Sequence, residues 1–112
     1  MKIVILVPIY NDWQSVSKLL EEINSTVSGL ECHFSIIIVN DASSEHHSIN
    51  AQNLGNLQSV KIINMKENRG HARCIASGLK YVYENEEFDY AIPMDGDGED
   101  RPEEIKSFVK YL

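Results

Sequence analysis

The sequence predicts an α/β fold: a mostly parallel sheet of about four strands with helices on both faces. Three observations predict it. Apolar runs of strand length recur along the 112 residues. Between them lie stretches whose apolar residues return at helical spacing. The two kinds of segment alternate four times, an order that joins parallel strands by crossover helices. The length suits one ordinary domain.

The first run, "KIVILVPIY", is continuous rather than alternating, as expected of a strand buried on both faces. "NDW" then opens a helix whose apolar stripe is Trp13, Val16, Leu19, Leu20, Ile23 and Val27, with Gly29 as its stop signal. "HFSIIIVN" is a second buried strand, followed by the turn-rich "DASSEHH" and a short helical stretch ending near Gly55. "SVKIINM" alternates more, which places it nearer a sheet edge. After "KENRG" the spacing predicts a second long helix with Ala72, Ile75, Ala76, Leu79, Val82 and Tyr83 on its packed side. "FDYAIPM" is the fourth strand, and Pro102 opens the last helix, "EEIKSFVKYL". The order is that of a Rossmann-like half-domain.

Bulk composition narrows the function. A hydrophobic content of 43% with 24% charged residues supports a packed core. The formal net charge of −7 argues against binding nucleic acid, which needs a basic face. Cys32 and Cys74 are far apart with no C-x-x-C, which reads as two reduced thiols. No apolar stretch reaches the roughly 20 residues of a membrane helix. "MKIVILVPIY" lacks the cleavage site of a signal peptide, and the "NST" at Asn24 falls inside a helical pattern. The expectation is a cytoplasmic domain. His33, His46 and His47 read as surface residues.

Ligands of such sheets sit at the carboxyl ends of the strands. Four polar features fall at that edge: "YND", "NDAS", "NRGH" and "DGDGED". The last places Asp95, Asp97, Glu99 and Asp100 directly after a strand, where like charges repel unless a cation or a donor network compensates or the loop stays solvated. Asp95, Asp97 and Glu99 alternate, and hard oxygen donors of that kind suit Mg²⁺ or Mn²⁺ carrying phosphate oxygens. Gly96 and Gly98 permit the turn between them. A calcium loop starting at Asp95 fails, because its sixth position is Asp100 and its twelfth is Lys106. A dinucleotide fingerprint fails too, since no G-x-G-x-x-G follows the first strand. Asp41 is placed either to accept a hydrogen bond from a ligand or to cap a turn. Gly70, His71 and Arg73 open a helix whose N-terminus attracts anions, or simply cap it.

Taken together, "ILVPIYND", "IIIVNDAS", "NRGHARCIASGL" and "MDGDGEDRPEEI" resemble the N-terminal half of an inverting family 2 glycosyltransferase of the GT-A fold. The last two look like the branch that transfers sugars to polyprenyl-phosphate lipids. The resemblance implies a nucleotide-diphosphate sugar donor of the UDP or GDP type. Pro8, Tyr10 and Asp12 would line the nucleotide pocket, with Asp41 accepting from a base N–H and Gly70, His71 and Arg73 close by. Asp95 would serve both nucleotide and metal, forming the D-x-D pair with Asp97, and Glu99 would stand where relatives carry a metal-facing glutamine. Asn40, Ala42 and Asp12 depart from the family pattern, which bears on base selectivity.

Residues 1–112 are then expected to be a single, partial donor-binding domain. Family catalytic domains are longer, so the general base is expected beyond Leu112, this chain alone is expected to be inactive, and no residue here is assigned a catalytic role. An uncovered fourth strand would favour a homodimer through its edge. The parent protein would act in the cytoplasm or at the cytoplasmic face of a membrane. Two other classes share the residues. One is a nucleotide- and metal-binding module that transfers nothing; the other is a nucleotidyltransferase, which would want a basic, glycine-rich loop that "VPIYND" does not supply.

Overall fold

The computed structural model describes residues 1–45, 49–96 and 102–110. Its elements follow the expected order: β1 (Lys2–Ile9), α1 (Trp13–Thr26), β2 (His33–Asn40), β3 (Ser59–Asn64), α2 (His71–Asn85), β4 (Tyr90–Pro93) and α3 (Glu104–Lys110). A 3₁₀ turn at Ala51–Asn53 takes the place of the short helix expected before Gly55. The fourth strand is shorter than the run "FDYAIPM", and it stops at Pro93, whose ring nitrogen cannot donate to a ladder.

All pairings are parallel and the strand order is β3-β2-β1-β4. The chain therefore moves outward from β1 to β3 and then returns to the other side of β1. That reversal makes β1/β4 the topological switch point, the place where open α/β sheets hold ligands. β3 lies at one edge, as its alternation implied, and β4 lies at the other.

Each sheet face buries its own layer. Ile3, Ile5, Val7 and Ile9 of β1, with Phe34, Ile36 and Ile38 of β2, pack against Trp13, Val16, Leu19, Leu20 and Ile23 of α1. Ile105 of α3 joins the same layer. On the opposite face Val4, Leu6, Ile37 and Val39 meet Cys74 and Val82 of α2. Period-two alternation explains how one strand serves two layers, and why β1 and β2 read as unbroken apolar runs.

The packed face of α2 differs from the expected one. Cys74, Gly78 and Val82 are buried, whereas Leu79 is 40% and Tyr83 82% exposed, and Ala72 and Ala76 face solvent. The cause is close approach. A Cβ built on Gly78 would stand 2.6 Å from Leu6 Cδ1 and 2.7 Å from Val39 Cγ2, so only a residue without a side chain lets α2 sit this low. Counting large apolar residues misses a face organised around a glycine.

Among the described residues no helix is long and apolar enough to cross a membrane.

Candidate nucleotide-sugar site

Three strand ends build one cavity at the carboxyl edge. It encloses about 260 Å³ and is lined by Pro8, Ile9, Tyr10, Asp12, Asp41, His71, Cys74, Asp95 and Gly96. β1 and the turn after it deliver the first four, Asp41 directly follows β2, α2 brings His71 and Cys74, and Asp95 follows β4. The cavity thus lies across β1 and its two neighbours, at the switch point.

Asp41 is the most constrained of these groups. It is 5% exposed. Its two carboxylate oxygens accept from the backbone N–H groups of Arg69 at 2.8 Å and Gly70 at 2.9 Å. Its own carbonyl accepts from Asn68 Nδ2 at 3.2 Å. Asp41 therefore locks the loop before α2 against the end of β2. A carboxylate offers about four lone-pair sites, so two remain for a ligand donor.

The departure at Asn40 is absorbed by a neighbour. Asn40 Oδ1 accepts from Ser43 N at 3.0 Å, and its Nδ2 donates to Asn64 Oδ1 at 2.9 Å. An aspartate would keep the first bond; Asn40 adds a donor that Asn64 satisfies across the β2–β3 ladder. Ala42 adopts φ of 56°, the left-handed region in which glycine is at ease. That explains why a glycine suits this position better.

At the other wall His71 Nε2 lies 3.1 Å from Asp95 Oδ1, joining the start of α2 to the end of β4. Gly96 packs under the end of β1, where a Cβ would stand 3.1 Å from Ile9 Cγ2 and 3.2 Å from Val7 Cγ1. The turn after Asp95 is therefore held close to the sheet. Cys74 donates through Sγ to the Val39 carbonyl at 3.3 Å. Burial, aided by the negative charge of Asp41, pushes its thiol up to about 11. It is a neutral wall of the pocket at physiological pH.

Of the residues singled out in the sequence, Pro8, Tyr10, Asp12, Asp41, His71 and Asp95 come together in this cavity. Gly70 acts from behind it through Asp41, and Arg73 is exposed on α2 outside the lining. Asp97 and Glu99 lie outside the described residues. Ile9 and Cys74 are lining residues that the sequence did not single out. Asp12 is the N-cap residue of α1, makes no side-chain capping bond, and is one of the residues lining the cavity.

Among the described residues, no three acidic, histidine or cysteine side chains are grouped to hold a metal ion. Among the described residues, Asp12, Asp41 and Asp95 put three carboxylates in the cavity lining, against His71 as its one basic side chain. Mg²⁺ takes one or two protein carboxylates and completes its shell with water and substrate phosphate.

This geometry, a parallel sheet with an acidic crevice at the switch point and a loop locked by the aspartate after β2, is that of an open α/β domain with a ligand crevice at its carboxyl edge. The chain belongs to glycosyl transferase family 2, whose profile matches residues 4–112. It is 27% identical over 108 residues to the undecaprenyl-phosphate 4-deoxy-4-formamido-L-arabinose transferase of Proteus mirabilis, covering 96% of this chain and 32% of that protein. It is 26% identical over 112 residues to the dolichol-phosphate mannosyltransferase of Pyrococcus furiosus, covering 100% and 30%. The chain thus spans about a third of the length of these relatives. The fold matches S. aureus TarS 1-349 with a TM-score of 0.72 at 20% identity, covering 99% of this chain and 32% of that one. The complex of that protein with UDP-GlcNAc superposes with a TM-score of 0.69 at the same identity, covering 99% and 31%.

Proposed function

We propose that this chain is the donor-binding region of a glycosyltransferase. It would hold a nucleotide-diphosphate sugar, of the UDP or GDP type, for inverting transfer to a polyprenyl-phosphate acceptor. One observation carries the reading: residues from three strand ends and the start of α2 converge on a single acidic cavity at the switch point. Family membership supports glycosyl transfer. The two curated relatives, both named for lipid-phosphate acceptors, support the acceptor class.

In this reading Pro8 and Tyr10 flank the nucleotide, and Asp41 uses a spare lone pair to accept from a base N–H. His71 and Gly70 place the start of α2 beside the diphosphate, where helix N-termini favour anions. Arg73, one turn away on the exposed side, adds charge at longer range. Asp95, with Asp97 and Glu99, would hold Mg²⁺ or Mn²⁺, which supplies Lewis-acid stabilisation of charge on the leaving nucleotide. An ionised phosphate acceptor would need no general base to remove a proton. A homodimer is part of the same proposal, with Tyr90 of β4, 39% exposed, as its candidate contact.

Thermal unfolding with UDP, GDP, CDP and dTDP, each with and without Mn²⁺, tests the reading on the wild type and on Asp95→Asn. A ligand at about 100 times its Kd stabilises by roughly 2.7 kcal/mol. The expected result is a metal-dependent rise with one nucleotide that Asp95→Asn abolishes. A rise that survives in the variant, or no rise with any nucleotide, would remove the assignment.

A further inference from the structure

We propose that Asn11 is a positioning residue of the nucleotide pocket, clamping the loop after β2 onto the turn after β1 and thereby fixing both walls. The inference deepens the donor-site reading and rests on it. Asn11 does not line the cavity, but Tyr10 and Asp12 on either side of it do. Its backbone N–H donates to Ser43 Oγ at 2.9 Å. Its Nδ2 donates to Ser44 Oγ at 3.1 Å, and its Oδ1 accepts from Glu45 N at 3.0 Å. A second strap runs parallel, from Trp13 Nε1 to the Glu45 carbonyl at 2.8 Å.

Both segments need such a clamp. Each leaves its strand through a left-handed residue, Asn11 at φ 61° and Ala42 at φ 56°. A glycine would satisfy the backbone at position 11 at less steric cost. Asparagine tolerates the conformation while carrying an amide. The amide reaches residues 33 and 34 positions away in sequence, Ser44 and Glu45. Asp41, which holds the α2 loop from the other side, lies just two residues before Ser43. The clamp therefore sets the spacing between Tyr10, Asp12 and Asp41, the three groups a nucleotide must meet together.

Three variants separate this role from simple stability. Asn11→Gly keeps the left-handed backbone and removes the amide. Asn11→Ala removes the amide and strains the backbone, and Asn11→Asp keeps the acceptor for Glu45 N–H. Binding is measured by titration calorimetry with Mn²⁺ and the tightest of the four nucleotides, at a temperature where each variant is fully folded. Hydrogen exchange of the Glu45 amide is read in parallel. Losing two neutral hydrogen bonds that order the pocket should weaken binding by on the order of tenfold in Asn11→Gly. Glu45 should lose protection in Asn11→Gly and keep it in Asn11→Asp. Unchanged affinity in a folded Asn11→Gly overturns the positioning role while leaving the donor-site reading intact. Failure of the wild type to bind any of the four nucleotides overturns both.

Discussion

Replacing Asp41 by asparagine separates a lock from a reader. In the native protein the two carboxylate oxygens each accept one backbone N–H, from Arg69 and Gly70. An amide turns one of those oxygens into a donor that faces another donor. The site loses one charge-assisted bond, worth about 1.5–3 kcal/mol, and leaves a half-buried N–H unpaired. Relaxation of the exposed Arg69–Gly70 backbone recovers part of this, so the expected cost is about 2–3 kcal/mol. For a domain of this size that lowers Tm by roughly 8–15 °C. Urea unfolding followed by circular dichroism measures it, with Asp95→Asn as the comparison. Asp95 retains 41% side-chain exposure, so its variant should unfold within about 0.5 kcal/mol of wild type. Equal stability of Asp41→Asn and wild type would refute the lock and leave Asp41 as a ligand group alone.

Gly78→Ala gains about 1 kcal/mol of helix propensity but drives a methyl into two fully buried side chains, an overpacking cost of about 1–3 kcal/mol; urea midpoints should show a net loss of about 1 kcal/mol, and a gain would contradict the close approach. Ala42→Gly should raise stability by about 0.5–1 kcal/mol, because relief of left-handed strain outweighs the added chain entropy. The buried Cys74 thiol holds its proton up to about pH 11 against 9.0 when unfolded. The folded state thus binds that proton more tightly; the stability is present below pH 9 and lost as pH rises toward 11, on the order of 2–3 kcal/mol. Cys74→Ser should flatten that alkaline decline in a denaturation series.

Much of the fold was legible because its signals are local. The unbroken "IVILV" and "IIIV" runs belong to strands with a helix on each side, and the α1 stripe from Trp13 to Ile23 is the buried face observed. Alternation in "SVKIIN" placed β3 at an edge. The orientation of α2 was not legible, because contact distance set by Gly78 decided it and no apolar count registers a missing side chain. The cavity lining was legible in part: of the four polar clusters expected at strand ends, Tyr10, Asp12, Asp41, His71 and Asp95 meet there, since topology brings those ends together. Its internal wiring was not. The sequence offered Asp41 as a ligand acceptor or a turn cap; that it holds a loop 28 residues further on depends on which loops touch, and no local signal registers that. The clamp at Asn11 has the same character, joining partners 34 residues apart.

Under the proposed function, a nucleotide diphosphate binds at the carboxyl edge of the sheet at β1/β4. Amide chemical-shift mapping during titration with the tightest nucleotide and Mg²⁺ tests it most directly. The expected shifts concentrate at Ile9–Asp12, Asp41, Gly70, His71 and Cys74 and along the proposed metal-binding segment from Asp95 to Glu99. Shifts clustered instead at the opposite edge, around Lys2, Ser35, Ser59 and Lys61, would contradict it.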